Sequence, residues 1–135
     1  MKALSVKQPA ANKIASGEKT VELRTWPTKY RGPVLIVSSK RPDIEPAGCA
    51  LAIVDIADCQ PMRQEHVASA CCGQLYPECF AWILTNVQKI KPFPMRGSLG
   101  LYEVDIDQFS LDNNDRLKIK DRLTKCAVNL AFDIE

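Results

Sequence analysis

Hydrophobic and polar positions alternate most cleanly from Thr20 to Thr25, where Val21 and Leu23 fall on one side and Thr20, Glu22 and Arg24 on the other. That two-residue period predicts a half-buried strand presenting Glu22 and Arg24 on one face. Strict alternation assigns Lys19 to the side of Val21 and Leu23, and only a turn at Gly17 would swing it toward Glu22. Lys2 to Val6 reads as an earlier strand. Between the two, Ala11, Ile14 and Ala15 share a helical face, with Pro9 at its start and Gly17 just past its end, which predicts a short helix over 9–16.

Further along, Pro33 to Ser39 is a near-continuous apolar run and predicts a buried strand. Cys49 to Cys59, rich in Ala, Ile and Val, predicts a long central strand. Pro61 is expected to open a second helix with Val67, Ala70 and Cys71 as its apolar stripe and Gly73 at its end. Cys79 to Thr85 predicts a strand carrying Trp82 in the core, and Asn86 to Pro94 a connector or edge strand, since its prolines cannot donate to a central ladder. Leu99 to Val104 is the last clear strand. In the tail, Asp112, Asn113 and Asn114 offer caps, and Ile119, Leu123, Cys126, Ala127 and Leu130 recur at helical spacing. That is an amphipathic helix of about four turns. Packing on the sheet is its expected role, with a contact to a protein partner or nucleic acid as the alternative.

Few helices lie between the strands, and no Gly-rich phosphate loop is present, which excludes a doubly wound sheet. The expected class is α+β: a small mixed β-barrel of five to six strands with short flanking helices and a C-terminal amphipathic helix.

Charge changes this picture more than composition does. The net charge of +2 hides an asymmetry: residues 1–45 hold nine Lys/Arg against four Asp/Glu, and the remainder nine against twelve. The basic part contains the Glu22 strand, so one face is expected to attract phosphates. No segment approaches the ~18 apolar residues a membrane span needs, and the N-terminus returns to charge too quickly for a signal peptide. The chain is therefore read as cytoplasmic, with no membrane partner. Six cysteines, Cys49, Cys59, Cys71, Cys72, Cys79 and Cys126, form no C-x-x-C pair. Buried reduced thiols are favoured over a zinc site built from His66, Cys71, Cys72 and Cys79. No metal or cofactor is expected.

The candidate chemistry gathers around Gly17 to Trp26. Lys19 is a point charge suited to phosphate, or to catalysis once desolvated. Glu22 and Arg24 form either a surface ion pair or a recognition pair, with Arg24 on phosphate or a base edge and Glu22 accepting from an exocyclic amine. Trp26 and Tyr30 flank the site as stacking surfaces or as plugs for the barrel end. Arg31 and Lys40 are further phosphate contacts, and Ser38 is a donor at a strand end. His66 is expected to be solvated, and Asp55 and Asp58 to be a weak alternative metal pair.

Leu4-Ser5-Val6-Lys7-Gln8-Pro9, Gly17-Glu18-Lys19-Thr20-Val21-Glu22-Leu23-Arg24, Trp26, Tyr30-Arg31-Gly32-Pro33, Phe80-Ala81-Trp82-Ile83-Leu84 and Met95-Arg96-Gly97-Ser98-Leu99-Gly100-Leu101-Tyr102-Glu103-Val104 together resemble the ASCH domain, the activating signal cointegrator homology domain of the PUA-like superfamily. The G-x-K-x-x-E-x-R signature is matched at all four fixed positions, and the resemblance covers residues 2–105. It implies a PUA-like domain over 1–105, with 106–135 as a C-terminal helical extension packed on the barrel. It also implies a charged cleft for RNA or a modified nucleoside, lined by Lys19, Glu22 and Arg24. The alternative it implies is a hydrolase, acting on N(4)-acetylcytidine or as a metal-dependent ribonuclease, with Lys19 and Glu22 catalytic. In the amidohydrolase relatives the position of Glu22 is a threonine. Ala10 stands where many relatives have tryptophan, Leu23 where asparagine is common, and Val37 where histidine is frequent.

Overall fold

The computed structural model describes residues 1–133, and their side chains through Cys126. In chain order the elements are β1 (Lys2–Val6), α1 (Ala10–Ala15), β2 (Val21–Arg24), β3 (Gly32–Ser38), β4 (Cys49–Pro61), β5 (Phe80–Pro94), β6 (Leu101–Glu103) and α2 (Asn113–Asp133). The six strands make one mixed sheet in the order β2-β5-β4-β3-β1-β6. β1 and β3 run parallel, and the other described pairings are antiparallel. The sheet curls into a half-barrel, as the α+β expectation required. Register shifts between Ala50 and Ala52, Ile53 and Asp55, and Ile56 and Asp58 place bulges along β4 and β5. Each bulge adds local bend and twist, which lets two long strands wrap around a core.

β3 explains its own apolar run. Val34 and Ile36 pack on one face with Leu4, Val6, Val54, Ile56, Trp82 and the α1 residues Ala11 and Ile14. Leu35 and Val37 pack on the other with Ala3, Ile53, Phe93 and Ile119 of α2. A strand covered on both faces has no use for polar positions. α1 therefore plugs one side of the curl and α2 covers the other. Asp112 caps α2, its Oδ1 accepting from Asn114 N at 2.8 Å. The helix continues to Asp133, longer than the four turns its periodicity suggested. Ala127 and Leu130 of the expected stripe fall outside the described side chains.

Three expectations are corrected. Residues after Pro61 do not form an α-helix: β4 runs through Pro61, a 3-10 turn spans Gln64–His66, and turns follow. The Ser69 carbonyl accepts from Thr20 N and Val21 N, and the Ala70 carbonyl from Lys19 Nζ, so both are committed to a distant segment. Cys71, placed on an apolar stripe by the sequence, is exposed with φ of +55°. The strand at Cys79–Thr85 does not stop at Asn86 but runs unbroken to Pro94. β2 covers β5 only at Phe80–Ile83, so the later residues of β5 have an uncovered edge, where proline is tolerated. Finally, the six cysteines are partly or fully exposed rather than buried.

No helix among the described residues is long and apolar enough to cross a membrane.

Candidate functional site

β2 ends beside the N-terminal strands, and its last polar residue crosses to them. Arg24 Nη2 donates to the Ser5 carbonyl of β1 at 2.8 Å. The same nitrogen and Nε donate to Glu22 Oε2 at 2.8 and 3.1 Å. Glu22 Oε1 lies 3.7 Å from Lys19 Nζ. Glu22 is thus the centre of a Lys19–Glu22–Arg24 triad, with side-chain exposures of 8%, 9% and 22%. Gly17, at φ of +83°, makes the turn that brings Lys19 round. Lys19 then lies behind Glu22, its ammonium on the Ala70 carbonyl. The weak surface ion pair is therefore not what forms: two of the three groups are almost fully out of water, where a charge without its partner is costly.

In front of the triad a cleft of about 910 Å3 opens to solvent. Glu22, Leu23 and Arg24 of β2 line it, with Ser5, Val6, Lys7 and Ala10 from the β1–α1 junction. Ser38, Ser39 and Lys40 follow β3, and the segment from Arg96 to Gly100 closes the remaining side. Ser5 organises this wall twice. Its carbonyl holds Arg24, while its Oγ accepts from Ser98 N at 3.3 Å and shares a 2.9 Å hydrogen bond with the Tyr102 hydroxyl. Burial pushes the Tyr102 phenol up, partly offset by that bond to Ser5. A Cβ on Gly97 would sit 3.0 Å from Ser5 Oγ, so glycine lets the segment approach. Gly48, at φ of +64°, does the same for Lys40: a Cβ there would stand 2.9 Å from Lys40 Cγ. Ser38 Oγ is buried and bonded to the Pro46 carbonyl and to Cys49 N, so it braces the wall.

Of the residues singled out from sequence, Glu22, Arg24, Ser38 and Lys40 meet at this cleft. Lys19 touches it only through Glu22. Trp26 is partly buried and lies edge-on to Trp82, ring centroids 4.8 Å apart, with its own ring beneath Gly100 at the rim. Tyr30 and Arg31 are elsewhere. Tyr30 donates to the Pro33 carbonyl at 2.8 Å, and Arg31 lies 3.4 Å from Asp58 beside a separate hollow with Asp55 and Arg122. Asp55 is itself held by Arg122 at 2.8 Å. His66 is buried rather than solvated, its Nδ1 accepting from Arg63 N. The basic residues of α2 are largely paired within the molecule: Arg116 and Lys120 with Asp107, Lys118 with Asp115, Lys125 with Asp121. The sequence reading missed Ser5, Lys7, Arg96 and Ser98 as lining residues. No local pattern marks them, although each lies in a segment that carries the family resemblance. Among the described residues no group of three or more His, Cys, Asp or Glu is arranged to hold a metal.

Tyr30 gives a pH prediction. Burial pushes its phenol up to about 12, with nearby Cys126, Glu103 and Asp55 adding to the shift. The unfolded chain releases this proton near pH 10 while the folded chain keeps it. Stability contributed by Tyr30 is therefore intact below pH ~10 and is lost as pH rises toward ~12. Denaturant unfolding along an alkaline series should show this loss, and Tyr30→Phe should flatten it. An unchanged series in the variant would assign the loss to other groups.

A curled half-barrel of six mixed strands with two helices is the α+β architecture of an ASCH, PUA-like domain. The chain belongs to the ASCH domain family, whose model matches residues 4–94. It is 30% identical over 127 residues to activating signal cointegrator 1 of Mus musculus and to the same-named protein of Homo sapiens. In both cases 76% of this chain is aligned, and it spans only 22% of the relative's length. Among solved structures, the ASCH protein of Zymomonas mobilis matches with a TM-score of 0.56 at 15% identity, covering 79% of this chain and 89% of that one. A single-residue variant of it matches with a TM-score of 0.59 at 14% identity, covering 81% and 96%. At such identity these structures establish the shared fold alone.

Proposed function

We propose that the cleft binds single-stranded RNA or a modified nucleoside. The observation that carries this reading is the set of exposed cations at its mouth. Lys7, Lys40 and Arg96 line one hollow with no carboxylate paired to them among the described residues. The one acid lining the cleft, Glu22, is already matched by Lys19 and Arg24. The mouth is therefore cationic at neutral pH and attracts phosphate. At the floor, Arg24 Nη1 has no hydrogen-bond partner among the described residues, so it is available to a base edge or phosphate oxygen. In this reading Lys19 positions Glu22, and Glu22 orients Arg24 through two bonds. Trp26 supports the rim, while Tyr30 and Arg31 serve the fold outside the cleft.

The test is binding of short labelled single-stranded RNA across a salt series. Affinity should fall linearly in log–log form, and Lys40→Ala and Arg96→Ala should each flatten the slope by about 0.7. Lys118→Ala, on the paired surface of α2, should leave it unchanged. Binding without a salt slope, or variants with the wild-type slope, would rule out phosphate capture by these residues. A panel including N(4)-acetylcytidine, scored for released cytidine, separates binding from hydrolysis.

A further inference from the structure

Leu99 is 95% exposed. A single exposed leucine is ordinary on a protein surface, but the setting of this one is not. It lies on the wall of the cleft, between Ser98 and Gly100. The segment that carries it is fixed at three points. Met95 N donates to the Gly48 carbonyl at 3.0 Å, Ser98 N donates to Ser5 Oγ at 3.3 Å, and Leu101 is paired with Leu4 of β1. The backbone is thus pinned on both sides of a side chain that packs on almost nothing. The cleft lining also divides by chemistry. Ala10, Leu23 and Leu99 supply apolar surface, while Lys7, Lys40 and Arg96 supply positive charge. A phosphate alone has no use for the first set. A planar heterocycle carried beside a phosphate uses both.

We propose that Leu99 is the base-contacting residue of the cleft, its isobutyl group covering the face of a nucleobase whose phosphate Arg96 holds. The inference rests on the cleft being an RNA or nucleoside site. It adds a requirement of the ligand: an aromatic base beside the phosphate. Apolar contact with a base face removes both surfaces from water, and aliphatic side chains act in this way as wedges at base steps. Because Leu99 makes so little contact in the free protein, replacing it leaves the buried triad and the strands untouched.

The experiment compares a short labelled single-stranded RNA with an abasic oligoribonucleotide of the same length, binding to the full chain by anisotropy. The unsubstituted chain should prefer the RNA. Leu99→Ser should lower RNA affinity about ten-fold, roughly the loss of one buried aliphatic contact. Its affinity for the abasic strand and its salt slope should not change. Leu99→Trp should tighten RNA binding alone. If Leu99→Ser binds both probes as the parent does, the side chain serves something other than a base, a protein partner included. The proposal then falls while the cleft reading stands. Equal weakening on both probes would mean a displaced loop and would overturn it as well. Failure of the parent chain to bind either probe would remove the RNA reading of the cleft and this inference together.

Discussion

Replacing Glu22 by alanine should cost about 3–5 kcal/mol of folding stability, the range seen when one partner of a buried charge pair is removed. Lys19 would be left at 8% side-chain exposure with only the Ala70 carbonyl for company. Arg24 would lose both bonds to Oε2 and keep only Ser5. The three single variants should not be equal. Lys19→Met should cost less than Glu22→Ala, because Glu22 would still be matched by two bonds from Arg24. Arg24→Ala should fall between, since it also strips the Ser5 carbonyl. Lys19→Met combined with Glu22→Leu should recover much of the loss, because an apolar pair of similar volume removes the desolvation cost along with the attraction. Denaturant unfolding measures all four. A Glu22→Ala chain within ~1 kcal/mol of the parent would show an ordinary surface pair and remove the electrostatic basis for the floor of the cleft.

Trp82→Ala should be of similar size, about 3–5 kcal/mol. Trp82 has no exposed surface, sits in the concave core with Ile14, Val54 and Ile56, and donates from Nε1 to the Trp26 carbonyl at 3.2 Å. Its ring meets Trp26 at 88°, an edge-to-face contact worth about 0.5–1.5 kcal/mol beyond burial. Trp82→Phe should lose less, keeping an aromatic against Trp26 but not the indole hydrogen bond. The effect should reach the cleft, because the Trp26 ring underlies Gly100 at the rim. Trp82→Ala is therefore expected to weaken RNA binding while leaving its salt slope intact, since no cation moves out of the chain. Calorimetric unfolding reads the stability. A loss of under ~1 kcal/mol would show that the core refills the space.

These two residues also show how far the sequence carries. Trp82 was legible as core, because an aromatic inside an apolar strand has little else to do. Glu22 and Arg24 were legible as a pair, since residues two apart on a strand share a face. What the alternation hid was burial. Nothing local says that the Ala70 carbonyl arrives from more than fifty residues away to hold Lys19 Nζ, or that the pair is enclosed. The same distant contact defeated the helix expected after Pro61, because carbonyls used across the fold are not available to the next turn. Tyr30 and Arg31 follow Trp26 closely in the chain, and that proximity suggested a shared site. The loop carries them away to Pro33 and Asp58.

By itself the sequence determined most strands of the half-barrel, though not the full run of β5, together with the covered β3, the first helix, the capped tail helix and the family. The elements rest on short-range periodicity and turn chemistry, which neighbouring residues dictate, while the family rests on separated motifs such as G-x-K-x-x-E-x-R. Only the tertiary structure decided what makes the cleft. Ser5 supports both Arg24 and the 96–100 segment, Gly48 lets Lys40 lie along the wall, and Leu99 is left bare above a charged hollow. Ser5 alone joins residues nineteen and ninety-three positions away from it, and a concave surface exists only where such distant segments meet. Its shape and charge are properties of the assembled fold, which no local pattern encodes.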